Sequence, residues 1–280
     1  MIALFLTILC STSIALILKH NDTQRGNAIL LLAGNYFVAA LISVLFFLSD
    51  RNAQYSVSTL LFGALLGILF MLTFFAYARA VSVAGTSLST LSSRLSVVVP
   101  LILSVIIYNE YPTTTQTIGF LFTFITILFF YYSLKNHGSR SLKATDYIYL
   151  FAVLFGIGVN DFCMKIFQQW RPGMEKPFFL LTIFGCAFLY SSGYVIARRT
   201  PINRNTIILG AVLGIPNVFS SYFLLSALNE MQGIVVYPVT NIGIILLTTM
   251  AALVIWHETL NRSGRWALIS GIVAIFLLSI

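Results

Sequence analysis

Gly63-Ala64-Leu65-Leu66-Gly67 returns, 147 residues later, as Gly210-Ala211-Val212-Leu213-Gly214. Ala80 and Ala227 keep the same offset. One residue is then gained, so Gly85 corresponds to Gly233, and Asn109-Glu110 to His257-Glu258, at an offset of 148. Each copy reads as a Gly-x-x-x-Gly segment in an apolar helix, a short loop ending in Gly, a second apolar helix and a closing glutamate. An internal repeat on this scale fixes the architecture before anything else is read. The chain of 280 residues is a molecule of two halves.

Composition sets the solvent. The chain is 59% hydrophobic and only 9% charged, with a mean hydropathy of +0.94, whereas a soluble domain carries roughly 25% charged residues. Apolar runs long enough to cross a bilayer recur along nearly all of it. The spans fall near 2–18, 27–48, 57–78, 86–108, 115–134, 147–168, 177–197, 206–228, 233–256 and 263–280. The expected fold is therefore an all-α integral membrane protein of ten transmembrane helices. Residues 1–134 form a first five-helix repeat, 135–146 a polar linker and 147–280 a second five-helix repeat. Because five is odd, the second repeat enters the membrane from the opposite side. Inverted repeats of this kind characterise secondary transporters, whose substrate sites lie between the repeats near the bilayer midplane. The glycine pairs place small residues on one helix face, where a neighbouring backbone can approach closely.

The net charge of +8 implies no nucleic-acid partner. The basic residues lie mostly in short loops, where they orient helices and meet lipid head groups. Eleven Lys and Arg follow odd-numbered spans and four follow even-numbered ones, which places both termini outside the cytoplasm. The first span lacks the charged start and cleavage site of a signal peptide, and reads as a membrane helix. Cys10, Cys163 and Cys186 all lie within apolar runs without C-x-x-C spacing and read as small core residues. There is no phosphate-binding glycine loop, H-E-x-x-H or G-x-S-x-G sequence. No cofactor, no metal and no enzymatic reaction are expected.

The two-times-five arrangement resembles the EamA-like group of the drug/metabolite transporter superfamily. The resemblance rests on the duplication and on Asn109-Glu110 with Gln116-Thr117-Ile118-Gly119 in one half. In the other half it rests on His257-Glu258-Thr259-Leu260 with Gly264 and Gly271, and on the proline-bearing Val235-Val236-Tyr237-Pro238-Val239. It implies a transporter, acting as an exporter, with both termini cytoplasmic, the reverse of the loop-charge reading. The first span also lacks the glutamate that smaller four-helix multidrug relatives use to bind a proton.

Charged groups within membrane spans suggest function by default. Arg94 stands in the fourth span on a stripe with Ser87, Thr90 and Val97, and can grip a carboxylate or phosphate bidentately. Asp161 and Lys165 lie four apart in the sixth span and are candidate coupling residues; Lys165, near the end of its span, is expected to reach the interface. Tyr77, Asn217, Ser221, Tyr237, Asn241 and Ser11 complete the candidate substrate lining, with Thr7, Thr73 and Thr248 as further polar positions. Glu110 and Glu258 read as structural carboxylates at helix ends, and His20, His137 and His257 as solvated edge residues.

The expected activity is secondary active transport, by alternating access, of small polar metabolites such as amino acids. The partners are a small-molecule substrate, membrane lipids and a coupling proton or ion. One chain suffices as a monomer, a dimer being compatible, and the expected location is the bacterial inner membrane. The alternatives are proton-coupled efflux of cationic or lipophilic drugs, with Asp161 as the key charge, and more remotely a channel or an intramembrane enzyme.

Overall fold

A computed structural model describes residues 1–24, 26–84, 86–134, 144–171, 173–255 and 261–280. They fold as α1 (Ile2–Thr23), α2 (Ala28–Ser49), α3 (Val57–Ala84), α4 (Thr86–Leu95), α5 (Val98–Tyr108), α6 (Thr114–Leu134), α7 (Ala144–Trp170), α8 (Lys176–Ala197), α9 (Arg204–Glu230), α10 (Gly233–Ile255) and α11 (Arg262–Ser279). Among the described residues, ten helical stretches are long and apolar enough to cross a membrane. They correspond to the ten expected spans. The fourth differs: it is broken at Ser96-Val97 into α4 and α5. Most of the expected linker, with His137, His257 and Glu258, lies outside the described residues, as does the side chain of Ser87.

Local chemistry marks the helix ends. Asn27, Asn203 and Asn261 each precede a helix and accept from its first free amides, Asn27 from Ile29 and Leu30, Asn203 from Asn205 and Thr206, Asn261 from Gly264. Thr113 and Gln116 bond reciprocally, side chain to amide, at the start of α6. Asn109 ends α5 in a left-handed conformation (φ 52°, ψ 36°), which Asn tolerates better than most side chains.

The chain packs as two compact units, and each draws on both sequence halves. The first comprises Met1–Phe75 with Cys163–Asn229, the second Ala76–Phe162 with Glu230–Ile280. α3 and α7 contribute to both units.

In the first unit the second helices of the two halves, α2 and α8, run antiparallel. Phe37 meets Phe188 and, ten residues on, Phe47 meets Phe178, with ring centroids 5.3 and 5.5 Å apart. The repeated glycines do what their spacing suggests. A Cβ at Gly210 would lie 2.2 Å from the Leu31 carbonyl oxygen, and one at Gly214 2.5 Å from that of Asn35, so α9 rests directly on the backbone of α2. A Cβ at Gly67 would lie 2.7 Å from the Ile183 carbonyl oxygen, so α3 rests on α8 in the same manner. Half-to-half equivalence is thus visible in the packing: third helix on the other half's second helix, twice.

The second unit repeats this logic with the fifth helices. α6 and α11 pack antiparallel, Gly119 facing Leu278 at one end and Thr126 facing Gly271 further along, with Thr126 donating to Ser270 (3.0 Å). Antiparallel contact between equivalent helices, in both units, is the geometry an inverted repeat requires.

The glycine contacts give a matched test. Gly210→Ala should lower the apparent melting temperature in detergent, by overpacking worth about 1–3 kcal/mol. Gly185→Ala, on α8 with open space around it, should leave it unchanged or raise it. Equal behaviour of the two variants would refute backbone contact as the basis of the α2–α9 packing.

Candidate functional site

The polar residues expected to line a cavity divide into two groups. In the first unit two of them join neighbouring helices. Ser11 on α1 shares a hydrogen bond with Ser220 on α9 (2.7 Å), and Asn217 on α9 donates to Asn35 on α2 (3.1 Å). Ser221 is buried beside them. Thr7 returns its hydroxyl to its own helix at Ala3, and Thr73 Oγ1 is buried without a hydrogen-bond partner. Lys165 does not reach an interface: its side chain is 1% exposed inside the protein.

The second unit brings the other group together. α4 is short because its sequence, Thr-Ser-Leu-Ser-Thr-Leu-Ser-Ser-Arg-Leu, is rich in Ser, whose hydroxyls compete for backbone bonds. At the break Ser96 turns its hydroxyl onto the Ser93 carbonyl (2.6 Å), and the Ser96 carbonyl accepts from the Val99 amide instead of from Pro100, which has no N–H. Arg94 stands in the last turn before this break, with half-buried Thr90 one turn earlier.

Gly158 explains how α7 comes so near. A Cβ there would lie 2.5 Å from Val99 Cβ and 2.8 Å from the Ser96 carbonyl oxygen, so any larger residue would push α7 off the break. One turn along α7 stands Asp161. Its backbone carbonyl accepts the hydroxyl of Tyr237 from α10 (2.8 Å). Asn241, one turn along α10, donates to the Tyr237 carbonyl (3.2 Å) and takes Arg94 Nη1 at 3.5 Å. Tyr77 is held near by its packing against Ala80, Ala84, Leu150 and Val153. Arg94 interacts electrostatically with both Asp161 and Tyr77.

Arg94 is the unusual member. Among the described residues its one side-chain hydrogen bond is at the outer limit of length, and its Nε is buried with no partner. A guanidinium carries five donors, and a buried donor left unmade costs about 1–3 kcal/mol. Such a group can still donate to an acceptor that spans Nε and an Nη, the geometry of a carboxylate. Nearby in the sequence, Asn160 Oδ1 and Thr240 Oγ1 are also buried without partners.

Two carboxylates have structural posts. Glu110 accepts the Ile234 amide at the start of α10 (3.2 Å), as expected for a helix-end carboxylate. Glu175 does the same kind of work for α3, accepting the hydroxyls of Ser56 (2.7 Å) and Thr59. Sequence reasoning missed Glu175, Asn35, Ser220 and the buried serines Ser89, Ser92 and Ser96; the serines were visible as a second polar face of α4. Thr248 bonds back to Ile244 within α10, and His20 is exposed and paired with Gln24.

Comparison with known proteins agrees with this architecture. Residues 1–132 match the model of the EamA-like transporter family. An uncharacterized protein of Haemophilus influenzae is 28% identical over 98% of this chain and 96% of its own length. A solved crystal structure superposes with a TM-score of 0.81 at 13% identity, covering 99% of this chain and 94% of that one; at that identity the likeness shows the fold. The resemblance to the drug/metabolite transporter superfamily therefore stands, carried by the family match to the first five spans. The chain is a multi-pass membrane protein similar to transporters of the drug/metabolite type.

The packing role of Asn217 is measurable. A double-mutant cycle with Asn35→Ala and Asn217→Ala in unfolding measurements should return a coupling of about 0.6 kcal/mol, the usual worth of an interhelical hydrogen bond in a membrane. Additive effects would show that the two amides do not bond.

Proposed function

We propose that this protein is a secondary active transporter that releases small polar metabolites bearing a carboxylate, amino acids and related compounds among them, across a bacterial inner membrane by alternating access. The observation that carries the reading is Arg94, a cation within a membrane span whose Nε is buried and, among the described residues, unpartnered, and whose one side-chain bond there is long. The site draws on both sequence repeats: Arg94, Thr90 and Tyr77 come from the first, Asp161, Tyr237 and Asn241 from the second. A ligand that touches residues of both repeats is favourably placed to couple its binding to their rearrangement. Outward transport follows the resemblance to exporters, with the gradient of a coupling proton or ion as the driving force.

The test is a thermal-shift screen of purified protein against amino acids, hydroxy acids, sugars, nucleosides and lipophilic cations, followed by uptake into proteoliposomes. A ligand of the folded state raises its apparent stability. Carboxylate compounds should stabilise the wild type. Arg94→Ala should cost about 3 kcal/mol of binding, a loss of roughly a hundredfold, and Arg94→Lys should restore only part of it because it lacks the planar fork. Stabilisation by lipophilic cations alone, equal in wild type and Arg94→Ala, would overturn the proposal.

A further inference from the structure

Resting on that reading, we propose that Asn160 and Thr240 form a second pole of the Arg94 site, two neutral acceptors that take the amino group of an α-amino acid whose carboxylate sits on Arg94. The argument begins with what is left over. Buried polar atoms are paired as a rule, and each exception calls for a cause. Among the described residues of the second unit, the buried side-chain atoms without a hydrogen-bond partner are Arg94 Nε, Asn160 Oδ1 and Thr240 Oγ1. They stand on α4, α7 and α10. Asn160 directly precedes Asp161, whose backbone carbonyl takes the Tyr237 hydroxyl (2.8 Å). Thr240 directly precedes Asn241, which takes Arg94 Nη1 (3.5 Å). The unmet bonds of this unit thus gather where the three helices are tied together, along about 6 Å of helix axis between Tyr237 and Asn241.

Their types are complementary. A guanidinium N–H only donates, an amide oxygen only accepts, and a threonine hydroxyl does either. A ligand that answers all three carries an acceptor at one end and a donor at the other. An α-amino acid does so across a single carbon: the carboxylate meets Arg94, and the ammonium gives its N–H groups to Asn160 Oδ1 and Thr240 Oγ1.

Both acceptors depart from the habit of the fold. In the same unit Thr123, Thr126, Thr248 and Thr249 each return the hydroxyl to the carbonyl four residues back, at 2.6 to 3.0 Å. Thr240 is buried and makes no such bond among the described residues. In the first unit, buried Asn35 meets Asn217, amide to amide (3.1 Å), whereas buried Asn160 leaves its oxygen unmet. Neither Asn160 nor Thr240 is charged, so recognition of the amino group asks nothing of the protonation of Asp161 or Lys165. A zwitterion also adds no net charge to the interior of a membrane protein, where charge is costly.

Amino acids and their deamino counterparts test this: L-alanine with propionate, L-phenylalanine with 3-phenylpropionate, and L-glutamate with glutarate. Binding of each labelled compound is measured on purified full-length wild type, Asn160→Leu and Thr240→Val, variants that roughly keep the side-chain shape and remove the acceptor. The wild type should favour the amino acid of at least one pair by about tenfold or more, because the deamino acid leaves both acceptors unmet. In each variant that preference should shrink severalfold while deamino-acid affinity holds. Without ligand, the melting temperature of either variant should be unchanged or higher, since an unmatched buried atom has given way to an apolar one. Equal affinities within every pair that binds the wild type, or a preference that survives both substitutions, overturns the proposal and leaves the carboxylate reading standing. So does a lowered melting temperature in both variants, the mark of a structural role. If one variant does not fold, the other decides. Binding of none of the six compounds to the wild type would instead sink the carboxylate reading itself.

Discussion

In hydrocarbon, apolar side chains gain little by turning from lipid towards one another, so helices need another reason to associate. Here the reason is backbone contact. Gly210 and Gly214 bring α9 against the carbonyls of Leu31 and Asn35, Gly67 brings α3 against that of Ile183, and Gly158 brings α7 against the break at Ser96. At these distances dispersion contacts are dense, and single polar pairs such as Asn35–Asn217 fall into register. The rest of the first unit, including its aromatic layer between α2 and α8, hangs on these few positions without side chains.

That framework was largely legible beforehand because repetition and span length are written in the order of residues. The glycine offset predicted equivalent packing in the two halves, and ten apolar runs predicted ten spans. The break in the fourth span was harder to read. Ser96 and Val97 sit inside an apolar run, and what parts the helix there is a set of local bonds, the Ser96 hydroxyl on Ser93 and a proline without an amide at position 100. Of the candidate site residues, Arg94, Asn241, Tyr237, Asp161 and Tyr77 are gathered in one unit, whereas Ser11 and Asn217 are occupied by Ser220 and Asn35. Nothing in their types distinguishes the two sets. An asparagine that pairs with another asparagine and one that meets an arginine look alike until the helices are placed. Lys165 misled for a related reason: nearness to the end of an apolar run suggests an interface only when no other helix covers it.

The chain from Arg94 through Asn241 and Tyr237 to the backbone of Asp161 gives the site its character. Each link fixes a neighbour's direction while the Arg94 guanidinium keeps unfilled capacity. A site whose polar groups were all satisfied by one another would be a rigid core element. Arg94, whose Nε is buried with no partner among the described residues, falls short of that mutual satisfaction.

α4 and α5 together are the counterpart, by sequence repeat, of the single continuous α10. Positions 96 and 97 correspond to Ile244 and Ile245, where the helix runs on unbroken. On the alternating-access reading proposed above, two inverted halves of identical shape would exchange roles between an inward-open and an outward-open form of equal energy, whereas halves that differ at their fourth helix would give two forms of unequal free energy, so that the empty protein would favour one of them.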